Sequence, residues 1–445
     1  MRTRIVTAFC ALGLILAALH ASLADRRGRD YPGPPGWVLP GAALDFNFGQ
    51  GLYYQTGNGA CRTALNCLST SRASAGTASD LGNVWYQFAA GVPRITNLGL
   101  LVEESRTNSI RNNTMAGAGV GSLPTNWTGS AQSGLTQTIV GTGTESGIAY
   151  VDWQVSGTTT GTGNSFLRFD NSIAASPGQV WTGSVFVELV GGSLTNISQV
   201  AVNLEDHASG GGFLSNTQTI FTPSAAALGS QRYSVTNTAV ASTTLEYLTL
   251  TVRANSGVAV NVTLRVGWPQ EELGVGATSP ILTTTAAATR AADFITVTRP
   301  PKFGTSLTAF VTATPNMPTA YATTQTPLQI DEGDSNSRID IDRPTGGFLG
   351  DGITVASTPY TGAGTGTIWP TGAQWNIASA FAANDHAIVG AGKLGTATGN
   401  PMFAPSRAVI GANGNGVHQF NGTIARLALW PTTRQPNGFL TQVAQ

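Results

Sequence analysis

The sequence predicts an all-β protein built as two β-sandwiches in tandem, and three observations carry that expectation. The first is alternation. Val258, Val260, Val262, Leu264, Val266 and Trp268 are separated by Ala259, Asn261, Thr263, Arg265, Gly267 and Pro269, which on a strand gives one buried face and one wet face. The second is the palette: 55 glycines, abundant Thr, Ser and Asn, and only 10% charged residues suit short pleated segments joined by many turns. The third is that no stretch sustains the i, i+3, i+4, i+7 spacing of an amphipathic helix.

Taken in chain order, Arg2 and Arg4 precede an apolar run from Ile5 to Leu19, and Ser22-Leu23-Ala24 supplies small residues for cleavage. Residues 1–24 therefore read as a signal peptide, and the protein as secreted, extracellular or periplasmic. The apolar run falls short of the ~20 residues of a membrane span, so no stable membrane insertion is expected. Cys10 lies inside the leader. The other two cysteines, Cys61 and Cys67, are six apart and read as a short-loop disulfide of an oxidising compartment.

Residues 25–40 form a Pro/Gly linker, and 41–109 a stretch expected to run extended and wrap over a neighbouring domain. Clear alternation fills 110–278: besides the strand above, Trp181, Val185, Val187 and Leu189 repeat the pattern, as do Val200, Val202 and Leu204, then Leu248, Leu250 and Val252. This is the first sandwich. Residues 279–292 read as a connector, because Thr283 to Ala292 holds no large apolar side chain. The second sandwich is expected over 293–445, ending in Ile424 to Trp430, a nearly continuous apolar run suited to a strand buried on both faces. Each half carries enough alternation to be expected to fold alone.

Net charge is +0, which points away from nucleic acid as a partner. Nucleophile elbows, phosphate-binding loops and dinucleotide fingerprints are absent from the sequence. His207, His386 and His418 stand far apart and read as loop or surface residues. Glu103/Glu104 and Glu271/Glu272 read as surface charge, since adjacent strand residues point to opposite faces. Glu332 and Asp334 begin an alternating acidic row, but Asn336 stands where a third acid would be needed. The expectation is a protein without catalysis; a secreted glycoside hydrolase ranks third among the readings.

Two sets of binding residues are candidates. Trp127, Trp153, Tyr360 and Trp369 lie in or beside Gly/Thr/Asn-rich stretches, where an exposed ring could stack on a sugar, whereas Trp181, Trp268 and Trp430 sit on periodic strands as core. Asp331, Asp334, Asp340 and Asp342 concentrate hard oxygen ligands for calcium, with pairing to Arg338 and Arg343 as the alternative.

Five stretches together resemble a family. They are Leu44-Asp45-Phe46-Asn47-Phe48 with Ser71-Arg72-Ala73-Ser74; Gly99 to Asn108; Trp268-Pro269-Gln270-Glu271-Glu272 with Thr289-Arg290-Ala291-Ala292-Asp293; Ile330 to Ile339; and Phe420 to Pro431. In this order they are similar to phage and prophage tail-fibre or head-spike proteins. Such proteins carry a leading segment, a jelly roll like a carbohydrate-binding module, and a concanavalin A-like (laminin G-like) sandwich. The resemblance implies recognition of a carbohydrate or cell-surface polymer without enzymatic chemistry, with a purely structural, homo-oligomeric spike or fibre subunit as the alternative. The leader and the cysteine pair depart from virion proteins and favour a host gene reusing the architecture outside the cytoplasm.

Overall fold

The computed structural model describes residues 34–56 and 61–445; the expected leader and most of the expected linker lie outside them. The chain is all β, in two sandwiches.

The first sandwich packs a five-stranded sheet (Leu135–Glu145, Ile148–Thr158, Ala259–Leu273, Val180–Gly192, Arg232–Thr238 in spatial order) on a six-stranded sheet. The second sheet runs Phe213–Phe221, Ile197–His207, Leu245–Ala254, Asn164–Arg168, Thr128–Ser130, with Ile173–Ala174 at its side. The alternating residues of the sequence supply the core: Val260, Val262, Leu264 and Val266 face Val200, Val202, Leu204, Leu248, Leu250 and Val252 in one buried cluster. Each such side chain contributes roughly 1.5–3 kcal/mol on burial. Trp268 does not continue that stripe. The register shifts opposite it, between Ser184 and Phe186, and Trp268 adopts a φ of 37°. This β-bulge turns the indole to the outer face, against Phe186, Leu228 and Ile148.

The second sandwich corrects the domain boundaries expected from sequence. Residues 41–109 do not merely wrap it; they supply strands to both of its sheets. In the nine-stranded sheet, Leu44–Asn47 pairs with the strand Gly422–Trp430, as does Gly99–Val102. In the eight-stranded sheet, Leu68–Ser71 pairs with Phe294–Val297. Leu44, Phe46, Phe48, Leu68, Leu100 and Val102 sit in the same core as Ile295, Val311, Ile330 and Leu427. The strand Gly422–Trp430 is buried on both faces: Ile424, Leu427 and Leu429 face this core, while Ala428 and Trp430 pack under the short helix Asn437–Val443. Cys61 and Cys67 form a disulfide with Cα atoms 5.1 Å apart, and both half-cystines lie in the core.

The expected connector is also structural. Ala288–Arg290 pairs with Arg106–Asn108, and Ile281, Thr283 and Arg290 are buried. Here, between the sandwiches, lies a buried ionic cluster. Arg94 donates to Glu103 at 2.7 Å and also to Asp293, and Arg72 donates to the other oxygen of Asp293 at 2.8 Å. Arg290 stands 3.1 Å from Glu103, and the Ser279 backbone N–H donates to Glu103 at 2.7 Å. Glu103, Glu271 and Glu272, expected on the surface, are buried. Burial alone would push the Glu103 carboxyl up, but Arg290, Arg94 and the Ser279 donors bring it down to about 2, so it stays anionic. Three of the five family-like stretches thus meet in one place.

Candidate functional site

The strands of the six-stranded sheet turn one set of side chains inward, so the alternate set faces out. Between Val200, Val202, Leu204 and Asp206, the strand Ile197–His207 presents Gln199, Ala201, Asn203, Glu205 and His207. Neighbouring strands add Phe166, Arg168, Tyr247, Thr249 and Thr251; of the whole set only Phe166, Arg168, Gln199 and Glu205 stay partly open to solvent. This outer face is polar and aromatic. The Arg168 guanidinium lies 4.6 Å from the Tyr247 ring centroid and 5.4 Å from that of Phe166, and donates to Glu205 at 2.8 Å. His207 Nε2 is 3.2 Å from the same Glu205 oxygen. Its Nδ1 donates to the Gly211 carbonyl at 2.9 Å, and its ring packs on Tyr247 at 4.1 Å. The row is anchored from both ends, with Arg168 and Glu205 partly open to solvent.

At the sheet edge Phe213 stands opposite His207, 61% exposed, its ring 5.8 Å from the imidazole. The turn through Gly210 and Gly211, both at φ 85°, lifts this ring beside the charged row. Further along, Gln199 donates to Gln218 at 2.7 Å and Asn216 to Asn203 at 3.4 Å. An exposed ring, a carboxylate, a guanidinium and a ladder of amides are groups that can stack on an apolar sugar face and bond its hydroxyls.

The residues proposed from sequence lie elsewhere. Trp127, Trp153 and Trp369 are buried core side chains, which corrects their assignment as sugar platforms. Trp127 packs on Phe169, Trp153 donates to Gln137 at 3.0 Å, and Trp369 stacks on Trp375 and donates to the Ala373 carbonyl at 2.8 Å. Tyr360 is half-buried against the core of the second sandwich. Flanking Gly and Thr marked nearby turns, but tertiary packing covered the rings.

The calcium set is likewise not assembled. Asp331 is held by Arg407 through two bonds, at 2.7 and 2.8 Å, and Asp340 by Arg338 at 2.8 Å. Asp342 accepts from Thr326 at 2.7 Å, and Asp334 bonds back to Asn336 in an exposed loop. Gly414 closes over the Asp331–Arg407 pair so tightly that a Cβ there would come within 2.6 Å of the carboxylate. Arg343, expected as a partner of these acids, instead donates to the Trp369 carbonyl. Among the described residues, no three His, Cys, Asp or Glu side chains come together to hold a metal ion. His207 and His386, read as surface residues, are buried, while His418 is exposed.

Sequence reasoning also missed a carboxyl pair. On the outer face of the five-stranded sheet, Glu188 lies close enough to Glu145 to feel its charge. Burial and then the Glu145 charge push Glu188 up to about 7. Arg265 bonds Asp152 at 2.9 Å and also Glu145.

No family model matches the chain, and no curated protein matches it. Among solved structures, it is similar to the CBM40 carbohydrate-binding module of the Ruminococcus gnavus IT-sialidase bound to α2,3-sialyllactose, at 13% identity over 31% of this chain and 82% of that one, with a TM-score of 0.27. A carbohydrate-binding module of the β-sandwich superfamily, described for its promiscuous specificity, matches at 15% identity over 51% and 84%, with a TM-score of 0.29. Mouse laminin α1 domains LG4-5 match at 10% identity over 57% and 83%, with a TM-score of 0.23. The fold assignment rests on the strand pairing above, and the ligands in those names belong to those proteins. Among the described residues no helix is long and apolar enough to cross a membrane.

Proposed function

We propose that this chain is a non-catalytic glycan-binding protein, working outside the cytoplasm in a tail-spike-like arrangement of sandwiches, and that it binds through the outer face of the six-stranded sheet. The observation that carries the reading is the exposed Phe213 ring beside the Arg168–Glu205–His207 row. Arg168 and Glu205 are held by each other and by neighbouring rings, so they meet a ligand without first being ordered, which lowers the entropic cost of binding. The Cys61–Cys67 disulfide supports an oxidising compartment.

A glycan array probed with the full chain tests this. Reproducible signal lost in Glu205→Gln supports the proposal. The competing reading, a purely structural spike or fibre subunit, draws on the buried ionic cluster that locks the leading segment onto the second sandwich. A blank array together with a stable oligomer by light scattering would favour it.

A further inference from the structure

Between the two sandwiches lies a cleft of about 310 Å³, near the lower end of the ~300–1,000 Å³ range of ligand pockets. Arg232 and Ser279 line it from the side of the first sandwich, Asn316 and Gln374 from the second, and Trp85 and Glu103 from the leading segment. It is separate from the sheet face described above, whose side chains do not line it.

Most charges of the junction are matched: Glu103 with Arg94 and Arg290, Asp293 with Arg72 and Arg94, Glu104 with Arg106. Arg232 is different. Among the described residues no carboxylate forms an ion pair with it; it donates to the Thr278 carbonyl at 2.6 Å and the Ser184 hydroxyl at 2.9 Å. Its Nε is buried without a partner, and Phe186 lies 5.5 Å from the guanidinium on one side. Burial pulls its pKa down to about 10, although the negative charges of Glu272 and Glu103 nearby act the other way. Arginine stays protonated at neutral pH all the same, so the cleft keeps a positive charge. Glu103 would not repel an incoming anion, because Arg94 and Arg290 already balance it. Asn316 and Gln374 are exposed amides on the opposite wall, suited to hydroxyl groups.

We infer that this cleft binds a small polyol bearing one carboxylate, an acidic monosaccharide of the hexuronate type. Arg232 faces the carboxylate, while Asn316 and Gln374 bond the hydroxyls beside the Trp85 ring.

Isothermal titration of the full chain with D-glucuronate and with D-glucose tests the assignment. Glucuronate is expected to bind about tenfold or more tightly than glucose, because only it forms a charge-assisted bond with Arg232. Arg232→Gln is expected to remove that preference. The exposed double variant Asn316→Ala/Gln374→Ala is expected to weaken glucuronate by about threefold or more while melting like the parent, and it decides the matter if Arg232→Gln does not fold. Absence of glucuronate binding up to about 10 mM, equal affinity for the two sugars, or unchanged affinity in the double variant would each overturn the proposal.

Discussion

Arg72 donates to Asp293 at 2.8 Å across 221 residues of chain, and both side chains are fully buried. The second oxygen of Asp293 accepts from Arg94 and from the backbone N–H of Glu103. A single carboxylate therefore ties the leading segment to the first strand of the C-terminal stretch.

Removing that carboxylate leaves two buried guanidinium groups short of a partner. Asp293→Ala is expected to cost about 3–5 kcal/mol, as when one member of a buried ion pair is deleted. Urea denaturation of the full chain checks this. A loss below about 1 kcal/mol would mean that solvent reaches the cluster.

The same pairing decides which pieces of the chain can fold. A fragment spanning 293–445 lacks Leu44–Asn47, Leu68–Ser71 and Gly99–Val102, and so exposes edges in both sheets of its sandwich. It is expected to melt without cooperativity or to aggregate. A fragment spanning 110–278 keeps every strand of the first sandwich and is expected to melt cooperatively. Cooperative melting of 293–445 alone would refute the assignment of the leading strands to its core.

On the sheet face, Phe213 is exposed at an edge and carries little of the fold. Phe213→Ala is expected to weaken whichever glycan the array identifies by about tenfold, the scale of one lost stacking contact, with the melting temperature unchanged. Unaltered affinity would remove the ring from the site.

These sites differ in how far they could be read from sequence. The strands of the first sandwich were legible because a period of two is a local signal, and Val258 to Val266 carries it without interruption. The bulge at Trp268 was not, because it depends on the pairing partner, Val180–Gly192. Glu103 and Asp293 resemble surface acids in any local window, and only the fold brings Arg72, Arg94 and Arg290 to them. The tryptophans failed as candidates for a related reason. A Gly/Thr-rich flank marks a turn, whereas Trp127, Trp153 and Trp369 are covered by residues far along the chain or by a second ring. Phe213 had a usable local signal, a large ring directly after Gly210-Gly211-Gly212, which marks a hairpin turn.

Inside the first sandwich, Asn237 donates at 3.0 Å to both Asp206 and Glu246. The second oxygen of Glu246 is buried without a partner. Burial, reinforced by the negative charge of Asp206, pushes the Glu246 carboxyl up to about 8. In the unfolded chain it titrates near its ordinary 4.5. Below that value both states hold the proton and the stabilising contribution is complete. Between 4.5 and about 8 only the folded state retains the proton, so stability falls by up to ~1.4 kcal/mol per pH unit. Above about 8 the contribution is gone. The urea midpoint of the parent is therefore expected to drop from pH 5 to pH 9. Glu246→Gln, neutral throughout, should flatten the slope and be more stable than the parent at pH 9 by a few kcal/mol, roughly. Some slope should remain, because burial also raises Glu271, whose two carboxyl oxygens lack partners. Parallel pH profiles for parent and variant would mean that Glu246 is already ionised in the folded protein at neutral pH.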